Sequence, residues 1–417
     1  MARRRGTVGD DVLTGTNGAD VFTARAGNDV IDPLLGADRI DAAAGNDIVR
    51  FSSVMSSWPP PSEVGSIDGG IGYDTIDARN VSPSQVGADY STGNGQLYIV
   101  VGSQRFDVSA VECILLGDGN DSVGPPETGV SVYAGGGSDW LSGAGDIQLY
   151  GEGGNDTFFI GGTFGHDGSG VIDGGEGDDT LILNIAFTLD LTASVGQAGG
   201  TTYAVTSFET IYTSADSKVV GSDASETIAV YGVFDLNFFG NQFDGRGGDD
   251  VLSSSSGNDV VAGGDGDDHI RGNAGSDILT GGAGCDTFVF DADDSAPATP
   301  DTITDFDPGM DRIDLSAIDT DPSTVEHDRL RFIGRRAFDG VAGEVRFERE
   351  GHATLVQIDL DGDGEADQAI QLTGRFALKP ANFILKPESD AAAPHLAASH
   401  AHDAFTSTHL GLSADLP

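Results

Sequence analysis

Residues 245–289 read GRGGDDVLS, SSSGNDVVA, GGDGDDHIR, GNAGSDILT and GGAGCDTFV, which are five consecutive nine-residue blocks in one register. In every block the fourth residue is glycine, the sixth is aspartate and the eighth is apolar. A register held five times without a break is typical of a repeat architecture, in which each unit packs mainly on its neighbours.

The same three marks recur elsewhere in the chain. Residues 6–50 hold a second run of five blocks, and single blocks begin at positions 69, 116, 134, 151 and 174. The run at 6–50 departs from the pattern because its blocks lack the double glycine at positions one and two, and one of them begins with Pro33.

The residues of one block predict its local structure. Glycine permits positive φ and a close backbone approach, so the first four residues predict a tight turn whose carbonyl groups can face inward. The three residues after the aspartate are short and often β-branched, and they predict a very short strand with one buried side chain. One block cannot bury that side chain alone, so we expect stacked blocks in an all-β solenoid, a parallel β-roll or β-helix.

The charge of the chain is dominated by acid. Lys and Arg number 21 against 67 Asp and Glu, which gives a net charge of −46. Nucleic-acid binding is excluded because phosphate contact needs a basic surface. No apolar run approaches the roughly 18 residues of a membrane-spanning helix, so we expect no transmembrane segment. No apolar region follows the basic start at Arg3–Arg5, so the sequence predicts no Sec-type signal peptide.

Stacked blocks align their aspartates in columns with a spacing of about 4.8 Å, where carboxylates repel one another. Such columns need cations, and oxygen-only ligation with flexible geometry favours Ca²⁺ over Mg²⁺. The predicted carboxylate ligands are Asp11, Asp20, Asp29, Asp38, Asp47, Asp74, Asp121, Asp139, Asp156, Asp179, Asp250, Asp259, Asp268, Asp277 and Asp286. The turn glycines predicted to present carbonyl ligands are Gly248, Gly257, Gly263, Gly264, Gly266, Gly275, Gly281, Gly282 and Gly284. The alternative is that the aspartates only cap turns.

These blocks resemble the RTX, or hemolysin-type, nonapeptide GGxGxDxUx of secreted bacterial toxins, proteases and lipases. The resemblance implies a parallel β-roll with two repeats per coil and several Ca²⁺ ions held between successive turns. On this chain an ion would then lie near Asp250 with Asp268, and another near Asp259 with Asp277.

The sequence after Phe290 loses the nine-residue register. The run TPDTITDFDPGMDRIDLSAID at 299–319 and the strand-like segments after it resemble the C-terminal module of serralysin-type M10 metalloproteases, over about 281–385. Within it, Asp359, Asp361, Asp363 and Asp367 form D-x-D-x-D-G-x-x-D, an alternation that predicts a calcium loop. Ile370 stands where an EF-hand has glutamate, and the flanks look like strands, so we expect a β-hairpin. An acidic turn without an ion is the alternative.

Changes of composition predict the domain boundaries. Strand-rich inserts interrupt the repeats, and an Ala-rich tail with four histidines is expected to be disordered. The predicted segments are repeats at 6–50, an insert at 51–115 with one block at 69–77, interrupted repeats at 116–182, a second insert at 183–244, repeats at 245–289, the serralysin-like module at 290–385 and the tail at 386–417.

Catalytic motifs are missing from the sequence. It contains neither H-E-x-x-H, which a zinc protease needs, nor G-x-S-x-G, which a lipase needs, so no catalytic residue is assigned and we expect no enzyme. The leading hypothesis is a secreted, extracellular β-solenoid that folds on binding Ca²⁺, with a structural, adhesive or surface-associated role. The resemblance implies export by a type I secretion exporter. The alternative is an extracellular enzyme or accessory module that acts on polysaccharide or accompanies a protease.

Overall fold

A computed structural model of the protein describes residues 1–52, 64–81, 86–91, 96–101, 104–124, 129–161, 168–214, 216–230, 240–292, 294–320 and 330–386. The four histidines of the predicted tail lie outside these ranges. Within them, the 3-10 turn Pro380–Asn382 is the sole helical segment, and every other element is a strand. No helix in this part of the chain has the length and hydrophobicity needed to cross a bilayer. The all-β prediction is confirmed.

The chain forms two compact units, Met1–Ile185 with Ser194–Thr210, and Ala186–Ala193 with Ile211–Pro417. Their boundaries differ from the seven segments drawn from composition, and those finer divisions stay a prediction. Each unit is built from short strands stacked in two parallel columns.

In the first unit, one column begins as a purely parallel stack, passes through an antiparallel meander and becomes parallel again. Its strands, in stacking order, are Arg3–Arg5, Val21–Thr23, Arg39–Asp41, Gly65–Asp68, Gln104–Ser109, Gln96–Val101, Val86–Ser91, Ser122–Val123, Trp140–Gly143, Thr157–Ile160 and Thr180–Leu183. The predicted insert at 51–115 is therefore part of the stack and also carries an antiparallel excursion.

The second column of this unit is parallel until its last strand, which folds back on a hairpin partner. Its strands are Val12–Thr16, Val30–Leu34, Ile48–Arg50, Thr75–Asp77, Cys113–Leu115, Ser131–Tyr133, Gln148–Tyr150, Ser169–Asp173 and Thr201–Thr206, with Val195–Ala198 antiparallel to the last. A small parallel pair, Gly136–Gly137 with Gly153–Gly154, joins two turns.

The second unit repeats this plan and ends in an antiparallel module. One column contains Thr227–Val230, Val251–Ser253, His269–Arg271, Thr287–Val289, Arg312–Asp314 and Phe383–Ile384. The other contains Thr188–Asp190, Lys218–Val220, Gln242–Gly247, Val260–Asp265, Ile278–Ala283, Asp301–Ile303 and Gln368–Thr373, followed by antiparallel Ala353–Asp359 and Glu344–Glu350, and by Arg331–Gly334. A further strand, Thr210–Thr213, begins with the last residue of the first unit and continues into the second.

The core consists of the eighth residues of the blocks, stacked directly on one another. In the second unit Leu252, Ile270, Phe288 and Ile313 occupy matching positions on neighbouring strands, and each is at most 1% exposed. Burial of such a side chain stabilises the fold by roughly 1.5–3 kcal/mol. The prediction of one buried apolar residue per short strand is confirmed here, and the core is a thin column between the two rows of strands.

Candidate metal centres in the stacked turns

Many of the turns between strands stack so closely that they exclude a side chain at their fourth residue. Gly266 has φ +143°, and a Cβ built on it would lie 1.9 Å from the carbonyl oxygen of Gly248 in the adjacent coil. Gly284 repeats the relationship with Gly266, again at 1.9 Å. These glycines are therefore required by the approach of one backbone to the next.

The sixth residue of each block links one coil to the next through its side chain. Oδ1 of Asp268 accepts a 2.9 Å hydrogen bond from the amide of Asp250, and Oδ1 of Asp277 accepts one of 2.8 Å from the amide of Asp259. Each pair is 18 residues apart, so one coil contains two nonapeptides. The same bond joins Asp11 to Asp29, Asp20 to Asp38, Asp29 to Asp47, Asp47 to Asp74, Asp121 to Asp139, Asp139 to Asp156, Asp156 to Asp179, and Asp268 to Asp286.

The second carboxylate oxygen in most of these turns is buried and accepts no hydrogen bond from the described residues. It belongs to aspartates that are at most 3% exposed, so water does not solvate it. The residues that share this feature are Asp29, Asp38, Asp47, Asp74, Asp139, Asp156, Asp179, Asp250, Asp268, Asp277, Asp286 and Asp301. A buried anionic oxygen without a partner is costly, and a cation is the usual compensation.

In the turns that begin with glycine, the first residue leaves room beside that oxygen. A Cβ built on Gly263 would lie 2.1 Å from Oδ2 of Asp268, and one on Gly281 would lie 2.3 Å from Oδ2 of Asp286. The glycine therefore keeps the space next to each second oxygen clear of side-chain atoms. Gly264 and Gly282, the second residues of the same turns, have φ +125° and +109°, a backbone conformation that favours glycine. Both positions of the double glycine therefore have a structural reason.

Burial makes these aspartates hard to ionise in the metal-free protein. It raises the pKa of Asp139 and of Asp277 to about 8, with neighbouring carboxylates adding to the rise. It raises the pKa of Asp250 and of Asp286 to about 7. In every case the hydrogen bond from the amide of the preceding coil opposes the shift without cancelling it.

Three predicted ligands have different surroundings. The second oxygens of Asp11, Asp20 and Asp259 accept hydrogen bonds from the second residue of their own turn, which is Thr7, Thr16 or Ser255. The structure thus groups most of the predicted aspartates into one kind of site and sets these three apart.

Several residues of this arrangement were missed by sequence reasoning. Glu112 and Glu209 take the aspartate's place where inserts interrupt the repeats, each accepting a 2.8 Å bond from the amide of Asp74 or Asp179. Asp301 and Asp311 continue the columns into the C-terminal module. Asp311 did carry a signal, because Gly309, Asp311 and Ile313 have the spacing of a block. The other three residues lack the glycine at the fourth position, so spacing alone does not mark them.

A second ladder, also missed, runs along the exposed fifth residues of the turns. The amide of Asp267 donates to Oδ1 of Asp249 at 2.8 Å, and the amide of Cys285 donates to Oδ1 of Asp267 at 2.7 Å. Asn28 and Asn46 form an equivalent link at 2.8 Å. The frequent Asn and Asp at this position therefore hold adjacent coils together through the backbone.

The acidic loop of the C-terminal module joins two antiparallel strands, Ala353–Asp359 and Gln368–Thr373, so the predicted hairpin is correct. Carboxylate oxygens of Asp359, Asp361 and Asp363 all lie within 4.8 Å of one another. Asp367 stands apart from this group, and its Oδ2 accepts hydrogen bonds from the amides of Leu360 and Asp361 at 2.7 and 3.3 Å. Its role as a metal ligand stays a prediction.

The donor set of the turns fits calcium. Carboxylate and backbone carbonyl oxygens are hard ligands, and the buried second oxygens require a positive charge. Among the described residues, the one group of three or more possible His, Cys, Asp or Glu ligands is Asp359, Asp361 and Asp363, which contains neither the His nor the Cys that a transition metal prefers.

Two family matches cover much of the chain. Residues 171–385 match the peptidase M10 serralysin C terminal, and residues 5–40 and 34–52 match the RTX calcium-binding nonapeptide repeat. The curated relatives include Serralysin G of Dickeya chrysanthemi, 39% identical over 94 residues, and Metalloprotease AprA of Pseudomonas entomophila, 39% identical over 95 residues. Each match covers 22% of this chain, and the chain spans 18% and 19% of the two relatives.

Among solved structures, the chain is similar to the AlgE6R3 subunit of the Azotobacter vinelandii mannuronan C5-epimerase. The identity is 28%, with 42% of this chain and 81% of that chain covered and a TM-score of 0.23. It is also similar to the extracellular lipase LipA of Serratia marcescens, with 13% identity, 92% and 40% coverage and a TM-score of 0.19.

Proposed function

The chain belongs to the peptidase M10 serralysin C-terminal family and carries RTX calcium-binding repeats, and from this premise we propose that it is a secreted protein that folds as calcium binds outside the cell. Its role is structural, adhesive or surface-associated. The observation that carries the proposal is the column of buried second oxygens in the stacked turns, which lack a hydrogen-bond partner among the described residues.

Folding and ion binding are coupled through these oxygens. The chain has a net charge of −46, and stacking the coils moves carboxylates from water into buried columns. At low calcium their desolvation and mutual repulsion oppose the stacked state. A bound Ca²⁺ ion supplies two positive charges beside the carboxylates, so its binding free energy adds to the stability of the fold.

The residues that would hold the ions divide into two groups. The turn aspartates with a buried, unpartnered second oxygen would each present that oxygen, as Asp268 and Asp286 do beside Gly263 and Gly281. The hairpin loop would present the three clustered carboxylates that begin with Asp359. The carbonyl groups of the turn glycines complete the donor set in this proposal.

Export through a type I secretion exporter is part of the proposal, supported by the family. An unfolded acidic chain suits passage through an exporter, and folding would follow where calcium is plentiful. Co-expression with a type I exporter, with and without residues 387–417, tests where the export information lies. We expect the full chain in the medium and the form without residues 387–417 inside the cell. Secretion of both forms would show that these residues do not carry the export signal.

A catalytic role is the alternative. The family matches cover the repeats and the serralysin C-terminal module, and we propose that this chain contributes calcium-dependent structure instead of catalysis. The calcium-loaded protein should turn over neither casein nor a panel of acidic polysaccharides. Stoichiometric release of peptides or sugar ends by the purified chain would refute the proposal.

Small-angle X-ray scattering tests the coupling of calcium to folding. For a chain of 417 residues, an unfolded ensemble has a radius of gyration of about 75 Å. We expect values approaching this size in EDTA and a marked contraction in calcium. An unchanged radius, compact in both conditions, would contradict calcium-dependent folding.

A further inference from the structure

The second residue distinguishes two classes among most of the turns. The turns of Asp121 and Asp311 belong to neither class: Gly117 lacks a positive φ, and Asp307 donates its amide to Oδ2 of Asp311 at 2.7 Å but carries a carboxylate of its own. In the first class this residue has positive φ, and the second oxygen of the turn's aspartate is unpartnered among the described residues. We call these open turns. Their second residues are Arg25, Leu34, Ala43, Gly70, Gly135, Glu152, Gly175, Arg246, Gly264, Asn273 and Gly282, with φ between 57° and 125°.

The second class has Thr or Ser at this position, outside the positive-φ region, and we call these closed turns. The amide of Thr16 donates a 2.6 Å hydrogen bond to Oδ2 of Asp20, and the Thr16 hydroxyl donates a second of 2.9 Å to the same oxygen. The other closed turns pair the amides of Thr7 with Asp11 at 2.5 Å, Ser222 with Glu226 at 3.1 Å, and Ser255 with Asp259 at 3.2 Å.

In a closed turn the amide and hydroxyl of the second residue point their hydrogens at the second oxygen of the acidic residue, where an ion would otherwise bind. A cation entering the turn of Asp20 would have to displace the amide and the hydroxyl of Thr16, and the amide hydrogen would repel it. In an open turn the positive φ of the second residue points its amide elsewhere, and the oxygen keeps its lone pairs free. The two backbone conformations therefore offer opposite electrostatic environments to the same carboxylate.

Two aspartates of adjacent coils in one column show the difference. Burial raises the pKa of Asp38, in an open turn, to about 7. Burial also acts on Asp20, but the hydrogen bonds from Thr16 and Ala2 and the charge of Arg4 outweigh it, and its pKa lies below the ordinary value. The carboxylate of the closed turn is thus already compensated by the protein itself.

We propose that the closed turns bind no calcium and that Thr7, Thr16, Ser222 and Ser255 replace the ion there. The inference rests on the proposed function, since it assigns which turns of the calcium-binding roll take an ion. Of these two classes, only the open turns would then take an ion, and the hairpin loop of Asp359 would hold its own. The first coil, which holds two closed turns, would keep its turn geometry without metal.

Counting ions on two matched variants tests this directly. Asp20→Asn and Asp38→Asn remove the same charge from adjacent coils of one column. Native mass spectrometry of the full chain in calcium should show that Asp38→Asn loses at least one ion while Asp20→Asn keeps the wild-type number. Circular dichroism in saturating calcium verifies that both variants are folded.

The outcomes separate the two proposals. If Asp20→Asn loses as many ions as Asp38→Asn, the closed-turn inference is overturned and calcium binding stands. If Asp38→Asn loses none, the assignment of open-turn aspartates as ligands fails, and with it the support for the proposed function.

A gain of binding gives an independent test. Thr16→Gly creates the double glycine of an open turn after Gly15, and it should bind one ion more than the wild type. Thr16→Val is the control, because it removes the hydroxyl and keeps the branched shape and the amide, and it should bind the wild-type number. No gain in Thr16→Gly, or an equal gain in Thr16→Val, would overturn the inference.

Discussion

Oδ1 of Asp268 accepts a 2.9 Å hydrogen bond from the amide of Asp250, while Oδ2 of Asp268 is buried without a hydrogen-bond partner among the described residues. One carboxylate thus joins two coils with one oxygen and offers the other to a cation. Because both oxygens belong to one rigid group, we expect ion binding and the stacking of coils to stabilise each other. This relationship explains why the sixth residue is acidic: a neutral side chain would lose the role of the second oxygen.

Replacing Asp268 by asparagine should separate the roles of the two oxygens, the bond between coils and the binding of a cation. The variant Asp268→Asn can still accept the bond from Asp250, but it places an amide group where the cation belongs. We expect the loss of at least one ion and a destabilisation of about 1–3 kcal/mol in calcium, the usual cost of an unsatisfied buried polar group. Calcium titration calorimetry and thermal unfolding measure both effects.

The neighbouring Asp267→Asn is the control for that variant. Asp267 is exposed and accepts a bond from the amide of Cys285, which asparagine can also accept. Its ion count and melting temperature should match the wild type. Equal effects at both positions would mean that net charge, and not the buried site, governs calcium binding.

Substitution of a turn glycine tests the stacking geometry. A Cβ on Gly266 would lie 1.9 Å from the carbonyl oxygen of Gly248, and its φ of +143° is unfavourable for alanine. Gly266→Ala should therefore destabilise the protein by about 2–5 kcal/mol, from overpacking and backbone strain together.

Gly18 supplies the matched control, since it is also the fourth residue of a block but has no atom within 4 Å of a built Cβ. Gly18→Ala should change the free energy of unfolding by less than about 0.5 kcal/mol. Denaturant unfolding in calcium measures both variants. Similar values for the two would show that the coils are not packed as described.

The stability of the metal-free protein should fall as the pH rises. Asp139 and Asp277 have pKa values of about 8 in the fold, against 3.8 for the ordinary side chain. Between about pH 4 and pH 8 the folded state therefore binds more protons than the unfolded chain, and each step up in pH favours unfolding. The carboxylates oppose folding least below pH 4 and most above pH 8.

Circular dichroism in EDTA at several values between pH 4 and pH 8 measures this effect. The β-structure retained in EDTA should decrease as the pH rises, whereas calcium, which binds the deprotonated carboxylates, should weaken or reverse the trend. A β-structure content in EDTA that rises with pH would contradict the burial of these groups.

The hairpin loop should bind its own ion. Asp363→Asn removes one of three carboxylates whose oxygens lie within 4.8 Å of one another, so we expect the loss of one ion per chain. Glu365→Gln changes an exposed acid of the same loop outside this group and should leave the count unchanged. Native mass spectrometry of the full chain distinguishes the two results.

The repeated part of the fold could be predicted because its determinants are local and periodic. Glycine, aspartate and the apolar eighth residue recur every nine positions, so the strand length, the buried core and the turn columns follow from the pattern. The hairpin of Asp359 was also predictable, since its flanks alternate as strands do.

Features that depend on the partner coil could not be read from one block. Glu112 joins a column only because an insert brings it opposite Asp74, 38 residues away. The antiparallel meander of Val86–Ser91 and Gln96–Val101 has no periodic signal. The difference between Asp20 and Asp38 depends on the φ angle of the second residue, which the sequence suggests only once the turn geometry is known.

A circular-dichroism titration, from EDTA to millimolar calcium at constant ionic strength, tests the central claim most directly. Magnesium at the same concentrations is the control, because its stricter geometry does not suit these turns. We predict a cooperative gain of β-structure with calcium and little change with magnesium. A full β-sheet spectrum in excess EDTA, with the same thermal midpoint as in calcium, would contradict calcium-dependent folding.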